Sequence, residues 1–146
     1  MAAEQEVARL RAVVYSSHAR AGLLAAGLDG YSWDRHAALT FLWLFPDDVP
    51  ELLGTLVDLS LSDAWAVDCR LAVEAAWPNI DRARFREVVL NLLEDGDEMD
   101  YRRLSELLVH VGALDVLGVV LERAGRSADA GTREVADEFR DELLGR

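Results

Sequence analysis

Five carboxylates fall within seven residues of the chain: Glu94, Asp95, Asp97, Glu98 and Asp100, in the stretch LEDGDEMDY. Calcium requires a cage of oxygen ligands, so this run is the first place to look for a metal. Its spacing lacks the ligand order of a helix-loop-helix calcium site and the closing bidentate glutamate. It reads as a solvated, self-repelling turn between helices. Zinc needs close pairs of His or Cys. His18, His36 and His110 stand far apart, and Cys69 is the single cysteine, so there is no such pair and no internal disulfide. Cys69 lies in the apolar helical pattern VDCRLAVEA, where a thiol behaves as a small buried hydrophobe. The chain has no glycine-rich phosphate loop and no serine nucleophile elbow. His36 and His110 carry the side chain that titrates near neutral pH, yet a lone helical histidine is more often a surface residue than a switch. No catalytic residue, metal or cofactor is assigned on these grounds.

The aromatic residues are the next candidates. Tyr31, Trp33, Phe41, Trp43, Phe45, Trp65 and Trp77 gather in the N-terminal half. Most are expected in the core, because large rings fill the junctions between helix pairs. The stretch AALTFLWLFP leaves its helix almost no polar face. Such a helix is buried on more than one side or meets a partner.

Composition bounds the setting. The 146 residues suit one domain spanning 1–146, and a hydrophobic content of 51% excludes a disordered chain. The longest apolar runs are too short to cross a bilayer. MAAEQEVARL places Glu4 and Glu6 ahead of any apolar run, unlike the basic start of a signal peptide, so a cytoplasmic location is expected. The net charge is -12, and all 15 Lys-plus-Arg positions are arginine. A field of this sign repels a phosphate backbone, so nucleic acid is not the expected partner. A basic protein, or a partner without charge, is easier to reconcile.

The elements that must position these residues are helices. Strand and hairpin signals are nearly absent. Leu52, Leu53, Leu56, Val57 and Leu59 make one apolar face; Val88, Val89, Leu92 and Leu93 make another; Leu104, Leu107, Leu108 and Val111 a third. Helices are expected at about 4–26 (with a break near Ser16 and Ser17), 32–45, 49–61, 64–77, 82–94, 99–111, 113–125 and 131–144. Pro50 suits a first turn with Asp48 as its cap, Pro46 and Pro78 stop the helices before them, and Asp81 caps the helix after Pro78. Short connections imply antiparallel neighbours.

An internal period follows. Arg35, Arg70, Arg102 and Arg133 are separated by 35, 32 and 31 residues, each in an early helical turn after an acidic loop. Three residues beyond each arginine stands a small or apolar residue: Ala38, Val73, Ser105 and Ala136. A near-constant period with two helices inside each unit marks an α-solenoid. VPELLGTLVDLSLSDAWAVDCRLAVEAAW and DVLGVVLERAGRSADAGTREVADEF carry the pattern best, and over roughly residues 29–144 the chain resembles degenerate HEAT-like helical repeats. The resemblance implies an all-α fold, a right-handed solenoid of about four antiparallel helix pairs whose second helices line a concave face. The residue before each arginine departs from the family's valine: Asp34, Cys69, Tyr101 and Thr132 stand there.

Each arginine is expected to act as a structural ladder, reaching a carboxylate or carbonyl of the neighbouring unit. The positions one, four and eight beyond it change character from unit to unit, as surface does. On this basis His36, Trp43, Glu74, Arg103, Glu106, His110, Glu134 and Asp137 are the candidate partner-binding residues. The expected function is a non-catalytic module that binds a protein partner, with a bacterial immunity or inhibitor role as one form by analogy. The alternative is a small enzyme or small-molecule binder with a pocket around Trp43, His36 and Glu74.

Overall fold

In a computed structural model, residues 3–5 and 20–145 of the chain are described, and they are helical with no strand among them. Residues 3–5 are helical; the expected break near Ser16 and Ser17 lies outside the described residues. The helices are α1 (Arg20–Leu28), α2 (Ser32–Leu44), α3 (Leu53–Leu59), α4 (Ala66–Ala76), α5 (Arg82–Leu92), α6 (Glu98–Val111), α7 (Leu114–Gly125) and α8 (Ala130–Leu143). Short 3-10 turns at Pro46–Asp48 and Trp77–Asn79 follow α2 and α4, where proline removes a backbone donor and closes the helix. No helix among the described residues is long and apolar enough to cross a membrane.

Local chemistry explains the helix starts. Asp81 accepts from the amides of Ala83 at 2.9 Å and Arg84 at 3.2 Å, satisfying two donors left over at the start of α5. Asp97 and Asp100 form a capping box at α6, with Asp100 N donating to Asp97 at 2.9 Å and Asp97 N to Asp100 at 3.1 Å. Two carboxylates of the acidic run are thus a helix start. Asp129 accepts from Thr132 N and Thr132 Oγ1, each at 2.9 Å, at the head of α8. Those bonds hold the Asp129 carboxyl below its ordinary value. Gly112 ends α6 at φ 75°, which only glycine adopts without strain, and the chain turns into α7 within two residues.

One start differs from expectation. The helix expected over 49–61 is α3, and it begins at Leu53. Asp48 does not cap it. Asp48 is buried and ion-paired with Arg20 of α1, with a second bond from Arg20 Nη2 at 3.2 Å. An arginine from a distant helix outcompetes the local amides for this carboxylate, and the chain from Val49 to Leu52 spends itself on turns.

The packing has an order. Helix α2 lies against α4, α4 against α6, and α6 against α8; α3 lies against α5, and α7 against both α6 and α8. The buried apolar side chains form one continuous cluster from Leu24 to Val135. Leu42, Leu56, Phe85, Leu107 and Leu117 are among its fully buried members. Each such side chain contributes about 1.5–3 kcal/mol on leaving water. At Gly131, where α8 meets α6, an added Cβ would press on the Glu98 carboxylate, the movable end of a partly exposed side chain.

Cys69 belongs to this core. It is buried, and desolvation first, then the nearby Asp68 charge, pushes its thiol up to about 12 from an ordinary value near 9. The native protein is expected to resist a thiol reagent such as DTNB at pH 8 and to react at the rate at which it unfolds. Because the folded state holds this proton more tightly, stability should fall as pH rises from about 9 towards 12. Fast native labelling would contradict a buried, neutral thiol.

Candidate functional site

The four period-marking arginines occupy early turns of α2, α4, α6 and α8, the helices that pack in succession. They act in two ways. Arg70 of α4 donates to Glu106 of α6 at 3.0 Å, and Arg102 of α6 donates to Glu138 of α8 at 2.7 and 3.2 Å. Both bonds span 36 residues. Arg35 donates instead to Leu28 O at 2.7 Å, at the end of α1, and its guanidinium lies 5.5 Å from the Trp65 ring. Arg133 likewise turns back, to Ser127 O at 2.8 Å. A third 36-residue link joins His110 Nε2 to Glu74 at 2.5 Å.

These links change the character of the acidic row. Glu106 receives Arg70 and also Arg103, whose Nη1 lies 3.0 Å away, and Arg103 reaches Asp63 ahead of α4 as well. The hydrogen bonds that it donates to Glu106, then to Asp63, hold the Arg103 guanidinium charged more firmly than usual. Glu74 is occupied by His110, and Asp137 by Arg140 at 2.7 Å. Glu134 is exposed, just past the first turn of α8. The row is therefore largely compensated within the protein, and the sequence offered little sign of this because Arg70, His110 and Asp63 reach it from other parts of the chain. Asp63 and Glu138 were missed for the same reason.

The aromatic expectation needs a larger correction. Of the seven rings, only Phe41 is buried; Tyr31, Trp33, Trp43 and Phe45 are exposed, Trp33 by 80% and Trp43 by 51%. The cause is helical register. In α2, Ala38, Leu39, Phe41 and Leu42 take the buried face, which leaves Trp33 and Trp43 on the other. Trp77 is half-buried, packed edge-on against Phe85 at 4.8 Å and covered by Arg82 at 3.7 Å. It holds the turn between α4 and α5.

Between α2 and α4 lies an open recess of about 160 Å³. His36, Leu39, Thr40 and Trp43 line it from α2, at the spacing of one helical face, and Asp68 and Leu71 line it from α4. His36 and Trp43 come together here. Glu74 is not part of the lining. Asp68 and Thr40 were not singled out from sequence; Asp68 sits two residues before Arg70, and its facing helix could not be known.

Among the described residues, no three His, Cys, Asp or Glu side chains gather closely enough to hold a metal ion. No family model matches the chain, and neither a curated protein nor a solved structure is significantly similar to it.

The α6–α8 link can be tested. Arg102 bridges Glu138 and Glu98, and its hydrogen bond lowers the Glu138 carboxyl below the ordinary range. The contribution is present above about pH 4.5, where the unfolded glutamate ionises, and is lost as pH falls through the lower folded value. Glu138 is about half exposed, so Arg102→Ala should cost only about 1 kcal/mol in urea unfolding. Glu138→Gln should flatten the acid limb of the melting profile. A profile unchanged from the parent would remove the link. Ser105 Oγ is buried with no hydrogen-bond partner among the described residues, so Ser105→Ala should leave the melting temperature equal or higher. A clear loss of stability would show a partner for that hydroxyl.

Proposed function

We propose that the chain is a non-catalytic protein-binding module. In this reading it is a right-handed, HEAT-like solenoid of about four antiparallel helix pairs, and α2, α4, α6 and α8 are the second helices that line its binding face. The succession of contacts along these four helices supports that order, as do the 36-residue links between α4, α6 and α8. Such arrays present extended surfaces and seldom perform chemistry. The ladder role of Arg35, Arg70, Arg102 and Arg133 is part of the same proposal, with Arg35 and Arg133 anchoring carbonyls rather than carboxylates.

The observation that carries the proposal is the exposure of Trp43 beside the recess, on the helix next to this charged row. A half-exposed indole is costly to leave in water and is a common anchor at protein interfaces. The net charge of -12 favours a basic protein and speeds its approach. A cytoplasmic role, including one of bacterial immunity or inhibitor type, is compatible with these features.

Affinity capture from the source lysate tests this, followed by titration with the purified partner. A basic partner should bind more weakly as salt rises from 50 to about 500 mM, and Trp43→Ala should weaken it by about 2 kcal/mol. Acidic partners only, or an affinity indifferent to salt and to Trp43, would reject the proposal.

A further inference from the structure

We infer that the recess between α2 and α4 receives an arginine side chain of the partner protein, an inference that rests on the module reading above. Four features converge. Trp43 offers a half-exposed indole face at the rim, and such a face attracts a guanidinium. Asp68 supplies a half-buried carboxylate that makes no hydrogen bond or ion pair with another described residue. Thr40 adds a hydroxyl, and Leu39 and Leu71 provide an apolar floor for an alkyl stem. The recess, at about 160 Å³, takes one side-chain head rather than a nucleotide-sized ligand.

Charge complementarity selects the occupant. The two arginines nearest along the chain are bonded elsewhere: Arg35 to Leu28 O and over Trp65, Arg70 to Glu106. Asp68 is the one carboxylate in the lining, and no arginine lines the recess. A planar guanidinium satisfies both walls at once, stacking on Trp43 while donating two bonds to Asp68. An ammonium matches the charge but not the plane.

The probe is a short capped peptide, acetyl-Gly-Arg-Gly-amide, with its citrulline counterpart as the uncharged isostere and guanidinium chloride as the free cation. Binding to the full chain is followed by the indole N–H signal of Trp43, assigned with Trp43→Phe. The arginine peptide should shift this signal saturably, and the citrulline peptide should not. Asp68→Asn should weaken binding about tenfold and Asp68→Glu should restore most of it. Melting temperatures of both variants check that the fold persists. Equal binding of citrulline, or no effect of Asp68→Asn in a folded chain, overturns the inference. Guanidinium chloride binding as tightly as the peptide overturns the protein source and leaves a small-cation site. Partner capture that survives Asp68→Asn unchanged rejects the recess but keeps the module; failure of the unaltered chain to capture any protein rejects the module itself.

Discussion

Arg102 orients the packing of the C-terminal half by standing between two carboxylates, Glu98 on its own helix and Glu138 on α8. Its guanidinium is held more firmly charged than usual, first by the bond to Glu138 and then by that to Glu98. The same logic recurs one step earlier, where Arg70 and Arg103 share Glu106 between α4 and α6. An apolar core alone tolerates sliding of one helix along another. Directional, charge-assisted bonds at repeated positions resist it, because each slip would strand a charge. Burial supplies most of the stability, and the arginine links add directional contacts between neighbouring helices.

The N-terminal half solves the same problem differently. Between α2 and α4, Arg35 meets an indole and a helix-end carbonyl rather than a carboxylate. Arg20 and Asp48 tie α1 to the turn after α2 through a mostly buried pair. Less of the polar surface is consumed between α2 and α4, and Asp68 is left with its charge facing the recess. The two halves therefore have different capacities. The α4–α8 side is largely compensated and cross-linked by ion pairs, whereas the α2–α4 side retains a carboxylate and an open aromatic ring. Affinity for a cation belongs where charge is uncompensated.

This division also revises how the net charge should be understood. A chain at -12 invites the picture of a bare acidic strip. Much of the acidity on the row is matched by arginine or histidine 36 or 40 residues away. Long-range steering depends on the total charge, but short-range specificity depends on which carboxylates still lack a partner.

Local chemistry determined a good deal from sequence. Apolar periodicity placed α2 and α4 to α8 within two residues of their observed bounds. Asp81 was legible as a cap because a cap acts on amides two or three residues away. The recurrence of arginine pointed to the four helices that pack in succession. Tertiary structure alone decided the rest. Whether Asp48 caps a helix or pairs with Arg20, whether Trp33 and Trp43 are inside or outside, and which carboxylates Arg70 and Arg102 take all depend on residues distant in the chain. The recess is the clearest case, since Trp43 and Asp68 acquire a joint chemistry only when two helices lie side by side. Periodicity along a chain reports which face is apolar; it carries no information about what stands opposite.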